Sequence, residues 1–284
     1  MCRLFGLSAG RQRVTATFWL LDAPDNLRGQ SVGNPDGTGL GTYDASGRPI
    51  VEKQPLPAYA DPAFAAEARE RESTTFVAHV RRSSGTPVSV ANTHPFERDG
   101  RLFAHNGAIG DLDRLESRLG HDVATLAGQT DSERLFALIT AEIRATGDVA
   151  AGIHRAVGWV VRELPVQSLN FVLIAERDLW ALRYPEHHEL WLLERAPGAP
   201  LAQRTSTGAR IASGHLRTIP SVVVASERLD DDPGWRLLGS GVLVHVDPDL
   251  LVSEHLLVDD CPPKRVSRGP AGRWAARPDG GRAR

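Results

Sequence analysis

Short apolar runs typical of β-strands fall into two groups along the chain, and most of the stretches with helical periodicity lie between them. Strands that follow each other directly pair as antiparallel ladders, whereas a parallel sheet needs a crossover between successive strands. This order therefore predicts an α+β fold in which two mostly antiparallel sheets pack between helices. The predicted strands cover residues 2–8, 40–43, 49–53, 75–81, 101–104, 169–175, 179–184, 190–193, 221–225 and 242–246.

Four segments have the composition and apolar spacing of helices. Thr130 followed by Glu133 fits a capping box, which predicts that the third helix begins at Asp131. Segment 15–21 is apolar and fits either a helix or a strand, and the loop 29–41 is rich in turn-forming residues of the kind that often line sites. The predicted helices cover residues 61–72, 112–119, 131–145 and 149–162.

The bulk composition narrows the class of ligand. The 284 residues include 33 basic and 35 acidic side chains, a formal net charge of −2. Such a balance gives no global attraction to nucleic acid or to an anionic membrane, so we expect a small-molecule site built from local charges. No stretch approaches the roughly 20 apolar residues of a membrane span. Two distant cysteines without metal-ligand spacing suit a reducing compartment, and we expect a cytoplasmic protein.

Cys2 directly follows the initiator Met1. If Met1 is removed, Cys2 carries both a thiol and an α-amino group with a pKa of about 7.7–8.0, which can accept the thiol proton directly or through a water molecule. Considered alone, a cysteine at this position is more often simply a small apolar residue of the first strand. Only matching groups further along the chain can favour the catalytic interpretation.

Such groups follow in a fixed order. They are Ala78-His79-Val80-Arg81, Asn92-Thr93-His94-Pro95-Phe96, His105-Asn106-Gly107 and Thr130-Asp131-Ser132-Glu133. Together with Cys2, this set resembles the glutaminase domain of class II glutamine amidotransferases, in the N-terminal nucleophile hydrolase superfamily, and most resembles their compact stand-alone members.

The resemblance has several implications for the whole chain. It implies an αββα sandwich formed by a single domain, residues 2–261, with a γ-glutamyl amide as small-molecule substrate and with no metal or organic cofactor. Residues 262–284 are rich in Arg, Gly and Pro. We expect them to form a disordered tail, although a basic tail can also contact an acidic partner.

Asn106 and Gly107 are the candidate oxyanion hole. Thiolate attack on an amide creates an oxyanion that needs hydrogen-bond donors, here a side-chain N–H from Asn106 and a backbone N–H from Gly107. Asn-Gly is also the best two-residue hairpin turn. The residues after Gly107 lead toward a helix instead of a return strand, which favours the oxyanion hole.

Arg81 and Asp131 are the candidate clamp for the α-amino acid end of a substrate. Arg81 can bind a carboxylate through two parallel N–H donors, and its offset from the neighbouring motifs matches the family's arginine. The alternative is an exposed charge at a strand end. Asp131 would hold the ammonium group, although an acid in the first turn of a helix is favourable for the helix dipole alone.

Three histidines, His79, His94 and His105, lie in or beside these motifs. They lack the spacing typical of zinc ligands, which favours structural hydrogen bonding over a metal site. The resemblance places His94 near the substrate loop, so we expect it to contact substrate.

The chain also departs from the family pattern. Sugar-phosphate amidotransferases have an aromatic residue and a Thr-His pair after the arginine, whereas this chain has Arg82-Ser83-Ser84-Gly85. The stretch from Ser226 to Trp235 resembles γ-glutamyl-hercynylcysteine sulfoxide hydrolases, or is an ordinary solvated turn. Three hypotheses follow: a free-standing γ-glutamyl amidohydrolase, a glutaminase subunit that supplies ammonia to a synthase partner, and a catalytically silent amino-acid-binding module.

Overall fold

The computed structural model describes residues 2–198 and 219–258, together with the backbone of two short antiparallel pairs. Cys261 and most of the predicted tail lie outside the described residues, so the disorder of the tail stays a prediction. The short pairs join Gln203–Arg204 to Arg210–Ile211, and Val266–Arg268 to Trp274–Ala276.

Two large antiparallel sheets dominate the described part of the chain. Their orders are β11-β9-β10-β1-β4-β2-β3 and β13-β12-β8-β7-β6-β5, and every pairing within them is antiparallel. The two antiparallel sheets of the predicted α+β fold are therefore confirmed. The strands are β1 (Arg3–Ser8), β2 (Thr38–Tyr43), β3 (Pro49–Gln54), β4 (Thr75–Val80), β5 (Phe96–Arg98), β6 (Arg101–Ile109), β7 (Val166–Ala175), β8 (Asp178–Arg183), β9 (Trp191–Arg195), β10 (Ser221–Ala225), β11 (Arg236–Leu237), β12 (Val242–Val246) and β13 (Val252–Leu256).

Helices cover the outer face of each sheet. One apolar cluster joins helices α3 and α4 to the second sheet, and another joins α1 and the helical turn Phe18–Asp22 to the first. A third cluster fills the space between the sheets, with Leu4 and Val77 on one side and Leu102 and Val172 on the other. The layers are thus helix, sheet, sheet, helix, in the order expected. The main helices are α1 (Pro62–Glu70), α2 (Leu112–Leu119), α3 (Asp131–Thr146) and α4 (Val149–Glu163).

The predicted end of β6 is wrong, whereas α3 begins at Asp131 as predicted, with a different role for Glu133. Strand β6 continues to Ile109, five residues past its predicted end at Ala104, so Asn106-Gly107 is not a hairpin turn. At the start of α3, the Thr130 hydroxyl accepts the Glu133 N–H at 3.1 Å, as a capping box requires. The Glu133 carboxylate, however, accepts N–H groups of Ala127 and Gly128, at 2.8 and 2.7 Å, and thereby fixes the loop before α3.

No helix within residues 2–198 or 219–258 combines the length and apolar character needed to cross a bilayer.

The contact between α3 and α4 yields a stability prediction. A Cβ atom at Gly152 in α4 would lie 2.6 Å from the backbone N of Ile143 in α3, so Gly152→Ala should lower the free energy of unfolding by about 1–3 kcal/mol. Gly158 lies in the same helix, and a Cβ atom there would meet only the flexible end of Arg162. Gly158→Ala should raise stability by about 0.5–1 kcal/mol. Urea unfolding followed by circular dichroism checks both, and equal stability of Gly152→Ala and the wild type would contradict the close helix packing.

Candidate active site

The first strand holds the N-terminus in the middle of the first sheet. Arg3 pairs with Val80 on one side, and on the other the Leu4 N–H donates to the Ser226 hydroxyl at 2.9 Å. Arg3 also forms an ion pair with Glu227. Because β1 is paired on both edges, Cys2 has a defined position where the strand begins. The stretch from Ser226 therefore helps to position β1 and is not only a solvated turn.

Cys2 lines a cavity of about 260 Å³, which we call the Cys2 cavity. The six residues that the sequence singled out come from five separate stretches of chain, and all of them line it. They are Cys2, Arg81, His94, Asn106, Gly107 and Asp131.

The Cys2 thiol lies against the peptide group of Arg82. Its sulfur accepts the Arg82 N–H at 3.2 Å and donates to the Arg82 carbonyl at 3.4 Å. Burial raises the pKa of the thiol; the Arg82 N–H, the N-terminal charge and Arg81 oppose this, and Asp131 reinforces it. The thiol is therefore protonated at neutral pH, and it needs a base to become a nucleophile.

Asn106 reaches across from the second sheet to the N-terminal strand. Its side-chain amide donates to the Cys2 carbonyl at 2.9 Å. A primary amide has two N–H donors, so this bond leaves one for another acceptor. The side chain is buried, which keeps that donor in a fixed orientation.

The Gly107 N–H points away from its neighbouring strand β7. Gly107 lies opposite Leu169, whose own N–H donates to Tyr184 on the far side of β7 at 2.7 Å. The pair Gly107–Leu169 is thus a non-hydrogen-bonded pair of the ladder, in which both N–H groups point outward. A Cβ atom at position 107 would lie only 1.9 Å from the Ser168 carbonyl oxygen, so the backbone here leaves room for glycine alone.

Arg81 is buried, so the alternative of an exposed charge at a strand end is wrong. Its guanidinium donates to the Thr86 hydroxyl at 2.6 Å and, over 3.3–3.4 Å, to the Ser83 hydroxyl and the carbonyls of Asp36, Thr86 and Pro87. Burial lowers the pKa of Arg81, and Cys2, Asp36 and Asp131 raise it. The loop after β4 therefore folds around this cation.

Asp131 is the first residue of α3, and it also connects that helix to β6. Its carboxylate accepts the Ile109 N–H at 2.8 Å and the Ser132 N–H at 3.0 Å. Asp131 therefore interacts with the N-terminus of α3 and also lines the cavity, and the sequence was compatible with both roles. This negative charge lies near both Arg81 and Cys2.

The three histidines form a buried group beside the cavity. The rings of His79 and His94 lie 4.2 Å apart. His105 Nε2 lies 3.1 Å from the Ser168 carbonyl and must carry the hydrogen, so its Nδ1 accepts from the Ser132 hydroxyl at 2.9 Å. Burial lowers the pKa of His79 to about 3, that of His94 well below its usual value, and that of His105 as well. All three are neutral at physiological pH.

Lys53 fixes the backbone on both sides of His94. Its ammonium group donates to the carbonyls of Thr93 and Pro95 at 2.8 and 3.2 Å. Across residues 2–198 and 219–258, no three His, Cys, Asp or Glu side chains are arranged to hold a metal ion.

The sequence interpretation missed three residues on the wall of the Cys2 cavity: Gln167, Ser168 and His188. Gln167 is the extra residue of a β-bulge, since Ala108 pairs with Ser168 but Ile109 pairs with Val166. His188 lies in the loop between β8 and β9. No motif marks these positions, because the pairing of β6 with β7 and the folding of that loop bring them to the site.

Known proteins match most of the length of this chain. Residues 1–255 match the family described as "Glutamine amidotransferases class-II". The γ-glutamyl-hercynylcysteine sulfoxide hydrolase of Mycobacterium tuberculosis is 29% identical over 246 residues, which cover 83% of this chain and 88% of that protein. YafJ of Escherichia coli is 28% identical over 208 residues, which cover 69% of this chain and 78% of YafJ.

A solved structure shares the fold at low sequence identity. It is a glutamine aminotransferase class-II domain protein from Silicibacter pomeroyi, with a TM-score of 0.62 and 22% identity. The match covers 91% of this chain and the whole of that one.

The buried histidines predict a loss of stability in acid. Between its folded pKa of about 3 and its unfolded value of about 6.5, His79 binds a proton only in the unfolded state. The free energy of unfolding should therefore fall as the pH drops below about 6.5, by up to about 1.4 kcal/mol per unit for each such histidine.

Urea unfolding at pH 7.5 and pH 5.0 checks this dependence. His79→Gln should lose about 1–2 kcal/mol less than the wild type over that interval. The exposed His154 on α4 provides a matched control, and His154→Gln should lose as much as the wild type. Equal losses in all three proteins would contradict the assignment to His79.

The charges around Cys2 predict opposite shifts in thiol reactivity. Asp131→Asn should lower the pKa of Cys2, and Arg81→Gln should raise it, because the first removes a negative charge and the second a positive one. Alkylation of the Cys2 peptide by iodoacetamide, followed against pH by mass spectrometry, measures both shifts. Arg82→Gln removes an exposed charge next to Arg81 and should shift the profile less. Shifts of the same sign for the first two variants would exclude this electrostatic account.

Proposed function

Since the chain belongs to the class-II glutamine amidotransferases, we propose that it is a cysteine-dependent amidohydrolase that cleaves the γ-amide of glutamine or of a larger γ-glutamyl compound. One observation carries the proposal. The N-terminal thiol, two candidate oxyanion donors and a pair of opposite charges share a single cavity, although they lie far apart in the sequence. Similarity to a γ-glutamyl hydrolase over 83% of the chain supports the wider γ-glutamyl class.

The reaction begins once Met1 has been removed. The free α-amino group of Cys2 accepts the thiol proton, directly or through a water molecule, and the thiolate attacks the γ-carbonyl carbon. This transfer overcomes the raised pKa of the thiol, because the base belongs to the same residue. The new C–S bond places the negative charge on the former carbonyl oxygen.

Asn106 and Gly107 stabilise that oxygen. The amide donor that Asn106 does not use for the Cys2 carbonyl and the outward-pointing Gly107 N–H are both held by the β6 backbone before substrate arrives. Donors fixed in advance do not have to reorganise as the charge develops, and one such donor typically contributes about 10²–10³ in rate.

Arg81 and Asp131 bind the α-amino acid end of the substrate. The substrate carboxylate replaces neutral loop oxygens as a partner of Arg81, and Asp131 accepts from the ammonium group. Hydrogen bonds between charged groups are about twice as strong as those between neutral groups, so this exchange is favourable. The neutral ring of His94 completes the wall on this side.

The tetrahedral intermediate then collapses. The C–N bond breaks, the amine leaves with the proton held by the α-amino group, and a glutamyl thioester remains on Cys2. A water molecule, deprotonated by the α-amino group of Cys2, attacks the thioester. The C–S bond breaks, the α-ammonium group returns its proton to the sulfur, and glutamate is released from the regenerated thiol.

Kinetics of Cys2→Ala test the nucleophile. This variant should lose at least about 10³-fold in kcat on any γ-glutamyl substrate, and Asn106→Ala about 10²–10³-fold. Cys261→Ala removes the other cysteine of the chain and should keep full activity. Mass spectrometry of the active wild type should show Cys2 as the first residue. An active preparation that retains Met1, or an undiminished rate in Cys2→Ala, would refute the mechanism.

Assays on the unmodified protein separate the other hypotheses. Release of glutamate and ammonia from glutamine by the isolated chain favours the free-standing hydrolase, whereas release that requires an added synthase favours a glutaminase subunit. Saturable glutamate binding without turnover, and without labelling of Cys2 by an electrophilic glutamine analogue, would indicate a binding module.

A further inference from the structure

Part of the Cys2 cavity has no role in the mechanism above. Arg81 and Asp131 hold the α-amino acid end of the substrate, and Asn106 and Gly107 meet its amide carbonyl. The wall that remains includes Gln167 and His188. What these side chains contact depends on the direction in which the leaving group points.

The sheet order places these two residues on the side of Cys2 opposite the clamp. In the first sheet, β1 pairs on one edge with β4, and Arg81 directly follows β4. On its other edge β1 pairs with β10, and β9 lies next to β10. The loop that carries His188 leads directly into β9. In the second sheet, Asp131 contacts the edge of β6 that faces away from β7, at Ile109, beyond the residues of β6 that pair with β5. Gln167 lies on β7, across the other edge of β6. A substrate bound through its α-amino acid end therefore directs its leaving group toward Gln167 and His188.

Gln167 is placed there by the β-bulge. The extra residue interrupts the ladder between β6 and β7, and bulges commonly redirect side chains beside active sites. Its partly exposed carboxamide offers both a donor and an acceptor.

His188 is held by two buried polar side chains. Arg183 Nε donates to the His188 carbonyl at 2.8 Å, and Asn170 Nδ2 donates to the adjacent Glu189 carbonyl at 3.0 Å. The ring is buried, and burial together with His187, the N-terminus and Arg183 lowers its pKa to about 4. Neither ring nitrogen has a hydrogen-bond partner among the described residues, which is costly for a buried polar group. A ligand group that forms a hydrogen bond with one of these ring nitrogens, after a rotation of the ring, removes that cost.

We propose that Gln167 and His188 form a leaving-group subsite that selects γ-glutamyl amides whose amine carries a polar, hydrogen-bonding group. The inference rests on the proposed function and adds to it the chemical class of the leaving amine. Ammonia from glutamine leaves this subsite unused. A leaving amine that bears a hydroxyl or carbonyl group forms hydrogen bonds with both the His188 imidazole and the Gln167 carboxamide.

Two substrates of nearly equal size provide the test. γ-Glutamylethanolamide and γ-glutamylpropylamide differ by a hydroxyl in place of a methyl group. The N-terminally processed wild type should prefer the ethanolamide in kcat/KM by roughly 3- to 10-fold, as expected for one or two added hydrogen bonds. Gln167→Ala and His188→Asn should each reduce this preference, and the double variant should bring it close to one. His154→Ala changes an exposed histidine of α4 that does not line the Cys2 cavity, and it should keep the wild-type preference.

The outcomes are distinct. A preference that Gln167→Ala and His188→Asn reduce supports the subsite. Hydrolysis of both amides without preference, or a preference that both variants retain, overturns it and leaves the proposed function intact. Failure of the processed wild type to hydrolyse these amides or glutamine overturns the proposed function itself. Because the readout is a ratio within one protein, partial loss of folded enzyme does not affect it.

Discussion

Backbone pairing of β1 on both edges is the constraint on which the site depends. It places the first strand in the interior of the first sheet, so that the N-terminal end of the chain is fixed as firmly as a core strand. The Leu4–Ser226 bonds and the Arg3–Glu227 ion pair hold its first residues. Asn106 then connects the second sheet to Cys2, so the nucleophile lies between two rigid layers instead of at a frayed terminus.

A buried cation is the second constraint. Arg81 lies beside Cys2 with little exposure, and a buried charge without partners is strongly unfavourable. The loop after β4 provides those partners through neutral oxygens of Ser83, Thr86 and Pro87. Asp36 stabilises the same loop by accepting the Ser83 N–H at 2.7 Å. The turn-rich loop before β2, which contains Asp36, thus belongs to the site through the loop that it holds.

The sequence predicted most of the fold because its apolar runs are long and regular. Ten of the strands in the two large sheets and the four main helices correspond to such runs. Strands β5, β11 and β13 were missed because they are short or expose much of their surface. The six candidate site residues could be chosen from ordered motifs, but Gln167 and His188 could not. The first depends on the register between β6 and β7, and the second on a loop held by Arg183 and Asn170.

One buried amide explains why the two halves of the clamp keep a fixed separation. Asn92 Nδ2 donates to the Pro87 carbonyl in the loop that surrounds Arg81, at 3.0 Å, and its Oδ1 accepts the Gln129 N–H just before α3, at 2.7 Å. A Cβ atom at Gly128 would lie 2.6 Å from the same Oδ1, so the loop can approach Asn92 only because residue 128 is glycine. A movement of either loop would break a buried hydrogen bond. The spacing between Arg81 and Asp131 is therefore set by one side chain that joins the loop around Arg81 to the loop before α3.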